Sequence, residues 1–213
     1  MGLGLDMTGT GAGRVVVRRG VPAGAERQAA ELYWAAFGRK LGPALNPPDK
    51  AVPFIAAHLN ADRAVCALLD GRLVGLAGYQ LGGRGLTGGT ASAVLRAYGR
   101  LRGLHRLLLL ALFERRPAPG QLVMDGIAVH ADLRGRGVGS LLLDEVAAVA
   151  AEQDCREIRL DVIDANPRAR ALYERRGFAA VRTEHTPYLR GLMGFGAVTT
   201  MRRPVGAKGT GAR

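Results

Sequence analysis

The stretch Arg134-Gly135-Arg136-Gly137-Val138-Gly139 stands between two runs of different period. Before it, Gln121 to His130 is an apolar run that reads as a strand. After it, Gly137 to Gln153 places Leu141, Leu142, Val146 and Val149 at helical spacing, and Glu157 to Ile163 reads as another strand. A strand–helix–strand step of this length lays its two strands side by side in parallel, with the helix packed on one face. The Arg/Gly loop therefore opens a helix. A helix start leaves backbone N–H groups unpaired and carries partial positive charge. Gly135, Gly137 and Gly139 lack a Cβ, so the backbone can close on a ligand. Such a nest of amides binds phosphate oxygens, and Arg134 and Arg136 add charge beside it. The plain alternative is a Gly-rich turn with two solvated arginines. The loop has neither the Gly-Lys-Ser/Thr of a Walker loop nor the spacing and first-strand position of a dinucleotide fingerprint.

The rest of the chain supplies mixed α/β elements. Arg14 to Arg18 is a β-branched first strand, and Pro22 to about Leu41 follows as a helix that Pro43, Pro47 and Pro48 break. A second helix is expected over Lys50 to Leu59. Arg63 to Leu69 and Leu73 to Leu81 are strands joined by Asp70-Gly71, a hairpin signal. Ala91 to Arg116 reads as one helix with Val94, Leu95, Tyr98, Leu101, Leu104, Leu108 and Leu112 along an apolar stripe. Asn166 as N-cap, Pro167 at the first helical position and Gly177 just past the end punctuate a short helix. Phe178 to Thr183 and Ala197 to Arg202 finish as strands. The expected organisation is a flexible segment over 1–13, a single domain over 14–205 with a helical insert at about 87–116, and a loose tail over 206–213.

Charge narrows the partners. Thirty basic residues against 18 acidic give a net +12, so anionic ligands are attracted. The chain lacks a helix-turn-helix pattern, zinc-ligand spacing or an aromatic-interleaved basic strand, so no specific nucleic acid is expected. The most apolar run, Leu107 to Phe113, is far short of the ~20 residues a membrane span needs. Residues 1–13 make a poor signal peptide. Cys66 and Cys155 sit in or beside apolar runs and read as buried free thiols. A cytoplasmic protein without a metal and without a membrane partner is expected.

Two motifs carry a family resemblance. Gly126-Ile127-Ala128-Val129-His130 followed by Arg134-Gly135-Arg136-Gly137-Val138-Gly139 resembles the signature of the GNAT superfamily of acyl-CoA N-acyltransferases, with Arg134, Gly137 and Gly139 on its Arg/Gln-x-x-Gly-x-Gly/Ala pattern. Asn166-Pro167-x-Ala169-x-x-Leu172-Tyr173-x-x-x-Gly177-Phe178 resembles the superfamily's next motif, in the right order. The resemblance implies a mixed sheet splayed between the strands at 121–130 and 157–163. It implies acetyl-CoA as acyl donor, held by the Ile127–Ala128–Val129 strand, by the loop Arg134, Gly135, Arg136, Gly137, Val138, Gly139 and Ser140, and by Asn166. It places Tyr173 where a general acid often stands. It also implies transfer of the acetyl group to a primary amine within a ternary complex.

The residues make chemical sense beside the resemblance. As an amine attacks a thioester carbonyl, negative charge builds on that oxygen, and a strand amide freed by a splay can donate to it. The departing thiolate needs a proton, and a phenol such as Tyr173, protonated below its usual pKa of ~10, can give one. The amine must lose a proton, and Asp125 is the best-placed carboxylate, ahead of Glu31, Asp62 and His130. Strict alternation puts Asp125 on one face with Ile127 and Val129 unless a bulge intervenes. Packing is the competing role for Tyr173, a structural hydrogen bond for Asp125, and helix capping for Asn166.

The acceptor side is expected to draw on Tyr33, Trp34 and Phe37 and on Tyr188, Leu192, Met193 and Phe195. The insert lengthens the connection between the third and fourth strands. It reads as a packed amphipathic helix, a wall of the acceptor pocket, or a homodimer contact. The competing functional readings are a silent acyl-CoA-binding regulatory domain and a basic nucleic-acid-binding protein.

Overall fold

The computed structural model describes residues 4–5, 13–111 and 117–206. The tail expected over 206–213 lies almost wholly outside the described residues, as does most of the segment 1–13. Gly4–Leu5 (β1) pairs antiparallel with Val15–Arg19 (β2), which adds a strand where the sequence pattern showed none. Glu26–Leu45 (α1) and Pro48–Ala57 (α2) follow. Pro43 does not end α1 but lies inside its last turn, where its missing N–H costs the helix a single bond, that to the Arg39 carbonyl, and only two residues follow it. Ala64–Leu69 (β3) and Arg72–Gln80 (β4) form a hairpin. Its turn residues Asp70 and Gly71 both have positive φ, as the Asp-Gly signal requires. The insert comes next as Ala91–Tyr98 (α3) and Arg100–Ala111 (α4). Gln121–Val129 (β5), Val138–Glu152 (α5), Glu157–Ile163 (β6) and Pro167–Arg175 (α6) form the central step. Ala179–His185 (β7), Arg190–Met193 (α7) and Ala197–Pro204 (β8) complete the chain.

The strands form one mixed sheet in the order β1-β2-β3-β4-β5-β6-β8-β7. Among the described residues only β5 and β6 are parallel, as the crossover through α5 dictates. One apolar cluster fills the face under α5 and includes Leu122, Met124, Leu142, Val146 and Tyr173. A second fills the opposite face beneath α1, α2 and α3, around Ala29, Tyr33, Ile55, Leu76 and Val94. Burying a residue such as Leu142 contributes ~1.5–3 kcal/mol.

The insert departs from the single helix that its pattern suggests. Gly99, at φ +81°, separates α3 from α4 and turns the chain between them. Gly103 lets the two helices close, since a Cβ there would sit 2.7 Å from Leu95 Cδ2. The stripe is thereby split. Val94 and Tyr98 are buried, while Leu101, Leu104 and Leu108 face solvent at 93%, 69% and 69% exposure. Arg106 anchors α4 instead: its Nη1 donates to Ala44 O at 2.8 Å and its guanidinium lies over the Tyr98 ring.

Candidate active site

The site begins where β5 leaves β6. Gln121, Leu122 and Val123 pair with Glu157, Ile158 and Arg159, and no pairing joins the two strands beyond Val123 among the described residues. From there β6 continues against β8, and β5 continues against β4 alone. Antiparallel partners alternate between bonded and non-bonded pairs. His130 N donates to Val74 O, so in this register Ala128 and Gly126 are turned to β4, and the backbones of Ile127 and Val129 are turned to the gap. Arg134 Nε donates to the Val129 carbonyl at 3.2 Å, consistent with that direction. Ala128 was expected beside the acyl donor together with its neighbours. Its backbone is instead committed to the ladder opposite Leu76, and it is buried.

A cavity of about 600 Å³ opens along the gap. Ile127, Val129, Arg134, Gly135, Gly137, Gly139, Ser140, Asn166 and Tyr173 line it, so most of the residues expected to meet the donor are brought together. Gly135 and Gly137 hold φ of +78° and +85°, and Gly137 is the N-cap of α5, a left-handed position that favours glycine. Val138 is instead buried in the core beneath the loop, and Arg136 is exposed away from the cavity lining. Asn166 Oδ1 accepts from Ala169 N at 3.2 Å, so the capping role is real and the residue still borders the cavity. Tyr173 is 6% exposed, packs its ring on Phe178, and has its phenol pushed up to about 12 by burial. Arg168 and Arg175 also line the cavity, which has no carboxylate among its lining residues. Sequence reasoning missed both. Their spacing of seven residues, two turns on one face of α6, was the available signal.

A second cavity, about 390 Å³, lies on the α1 face of the sheet. Asp125 reaches it because a bulge does intervene. Gly78 pairs with Gly126 but Tyr79 pairs with Met124, leaving Asp125 as the extra residue. Alternation is thereby broken. Ile127 and Val129 pack toward the α5 cluster, and Asp125 turns to the other cavity. Gly126 between them has φ +144°, and a Cβ there would stand 2.4 Å from the Phe37 ring. Asp125 Oδ1 accepts from Gln80 Nε2 at 2.8 Å and Oδ2 from Leu86 N at 3.0 Å. Burial pushes its carboxyl above the usual range, against the pull of the Leu86 amide, Gln80 and Lys40. The structural bond and the cavity position thus coexist in one residue.

Tyr33 and Phe37 line this cavity as expected. The other expected acceptor residues fall elsewhere. Trp34 packs within the α1 cluster, Tyr188 is 80% exposed, Phe195 is buried away from the lining, and the side chains of Leu192 and Met193 are outside the described residues. The wall comes from α2 and the insert, through Phe54, Ile55, His58, Val94, Leu107 and Leu110. The insert is therefore a pocket wall. His58 was also missed. Its Nδ1 lies 2.8 Å from the Phe54 carbonyl, which can only accept, so in the neutral ring Nε2 is the acceptor. Of the weaker base candidates, Glu31 pairs with Arg27, Asp62 with Arg84, and His130 lies near Asp132, all away from the cavity.

Among the described residues no cluster of His, Cys, Asp or Glu could hold a metal, and no helix is long and apolar enough to cross a membrane. Cys66 and Cys155 are free and buried, and burial pushes the Cys66 thiol up to about 12.

Residues 26–178 match the acetyltransferase (GNAT) family. Thialysine N-epsilon-acetyltransferases of Bos taurus and Sus scrofa are 39% and 38% identical over 56 residues, 26% of this chain. The match spans about a third of those relatives' length, 33% in each. Among solved structures, the ribosomal-protein-S18-alanine N-acetyltransferase from Escherichia coli aligns with a TM-score of 0.56 at 14% identity, covering 93% of this chain and 99% of that one. A GCN5-related N-acetyltransferase from Kribbella flavida aligns at 0.57 and 20% identity, covering 89% and 97%. At such identities the structures establish the shared fold.

Proposed function

The chain belongs to the acetyltransferase (GNAT) family, and on that premise we propose that it is an N-acetyltransferase moving an acetyl group from acetyl-CoA to a primary amine by direct attack. One observation carries the reading. The gap in the sheet at Val123 has a cationic cavity on one side of β5 and, on the other, a cavity with aromatic and aliphatic walls that bears the Asp125 carboxylate.

The first cavity fits the acyl donor. Glycine amides at the start of α5, with Arg134, Arg168 and Arg175, suit a pyrophosphate and a further phosphate. Acetyl-CoA supplies the acetyl thioester. The backbone N–H of Ile127 or Val129, left free by the gap, is placed to donate to the carbonyl oxygen as charge develops. Asp125 is the base that takes a proton from the incoming ammonium, directly or through water, and burial, by raising its carboxyl, makes it a stronger base than an exposed carboxylate. The amine nitrogen forms a bond to the carbonyl carbon, the carbon–sulfur bond breaks, and the nitrogen's second proton passes to solvent, from which the Tyr173 phenol is restored after it gives its own proton to sulfur. Tyr173 then protonates the departing sulfur, and burial keeps its phenol protonated well into alkaline pH.

The experiment is a panel of primary amines incubated with acetyl-CoA. The expected result is amine-dependent release of free CoA with an acetylated amine as product. Binding of acetyl-CoA without turnover of any amine would leave a silent acyl-CoA-binding domain instead.

A further inference from the structure

Among the described residues that line it, the cavity on the α1 face has a single carboxylate, Asp125. An ammonium that enters can pair with it before losing a proton. A second ammonium on the same molecule has no such partner there. Its surroundings would be Phe37, Phe54, Val94, Leu107 and Leu110 with uncharged polar groups of Gln80 and Thr87 and the His58 ring, and exchanging its water for these without a carboxylate is unfavourable. It would also meet Lys40, which lines the cavity and lies close enough to lower the Asp125 carboxyl. The volume, about 390 Å³, is that of a small-molecule pocket.

We infer that the acceptor is a small monoamine, one primary ammonium on an apolar aromatic or branched aliphatic body, and that the cavity rejects diamines and other polycations. This rests on the N-acetyltransferase reading above. Asp125 orients the single ammonium toward the gap, and the ring pair Tyr33–Phe37, with centroids 4.7 Å apart, holds the apolar body. Specificity then comes as much from exclusion as from contact. The insert supplies Leu107 and Leu110 to the walls, so its presence shapes the choice of amine.

The test uses two amines with the same heavy-atom frame, 4-ethylbenzylamine and 1,4-bis(aminomethyl)benzene, which differ by one ammonium. With the full chain and saturating acetyl-CoA, kcat/KM should favour the monoamine by at least ~10²-fold, since like charge and unpaired burial act together. Leu107→Glu adds a carboxylate to the wall and should cut that ratio by ~10-fold or more. Lys40→Glu should move the ratio the same way should the first variant fail to fold, which an acetyl-CoA melting shift reports. A wild-type protein that uses the diamine equally well or better overturns the acceptor class while leaving the transferase reading intact. A ratio unmoved in both variants overturns this cavity as the acceptor seat. No CoA release from either amine, or from a wider panel including putrescine and spermidine, overturns the transferase reading, and the class falls with it.

Discussion

The cavity beside α5 and α6 takes its lining from one stretch of chain between Ile127 and Arg175, whereas the cavity beneath α1 draws on α1, α2, the loop after β4, α3, α4 and β5. The first includes a stretch of bare backbone at Gly135, Gly137 and Gly139, the first two at positive φ, with an N-cap asparagine bordering it. The second is built from side chains. A donor that is the same in every turnover can be held by a local, glycine-coded turn. An acceptor is selected by shape and charge, and these are assembled from elements distant in sequence. The two sides should therefore respond differently to substitution.

The largest effect is expected on the donor side. Gly139→Glu places bulk 3.0 Å from Leu172 Cδ2 and a negative charge where phosphate is expected. Acetyl-CoA affinity, measured by calorimetry, should fall by ~10³-fold or more, because like charges in contact cost several kcal/mol. Binding of the amine should change little. If both affinities fall together, the division between the two sides is wrong.

Tyr173→Phe is the next test. It keeps the buried ring and removes the hydroxyl. Loss of a general acid should lower kcat by ~10²–10³, with acetyl-CoA affinity nearly constant. Since burial pushes the phenol up to about 12, no fall in rate from its ionisation is expected between pH 7 and 10. A Phe variant with full kcat leaves Tyr173 a packing residue and makes water the proton source.

Asp125→Asn tests the acceptor side. Removing the proposed base should lower kcat/KM for the amine by ~10² while the acetyl-CoA melting shift persists. His58→Gln, on the same cavity wall, should cost much less, because Asp125 and not His58 is the proposed base. Asp125 also predicts a pH slope in stability. Its folded value is raised, so its contribution is full below the ordinary carboxylate value of ~4 and is lost as pH rises through the folded value. Melting curves across that window should lose this slope in the Asn variant.

The smallest effect should come from the outer face of the insert. Leu104→Arg changes a side chain that is 69% exposed, so stability should move by no more than ~0.5 kcal/mol, about 1–2 °C in melting temperature. Leu110→Arg, on the cavity wall, should cost more and should impair use of the amine.

These differences also explain what the sequence made legible. The crossover from β5 through α5 to β6, and the capping of α6 by Asn166, are encoded locally by period and punctuation, and both are present in the structure. Arg168 and Arg175 were within reach of the same helical arithmetic. The acceptor side depended on two backbone events without a clear local code. One is the bulge that turns Asp125 away from Ile127. The other is the break at Gly99, which rotates Leu101, Leu104 and Leu108 outward and Leu107 and Leu110 inward. Periodicity assumes an unbroken strand or helix, so it could not place these side chains. His58 and Lys40 belong to the site only through the packing of α1 and α2 across the sheet.

The most direct measurement is the melting temperature of the full chain with and without acetyl-CoA. At a concentration near 100 times its Kd, a ligand that binds only the folded state adds ~2.7 kcal/mol, which for a chain of this size is about 5–10 °C. That rise is expected for the wild type and should be absent in Gly139→Glu. An unchanged melting temperature in wild-type protein at saturating acetyl-CoA would contradict the assignment of the α5–α6 cavity as the donor site.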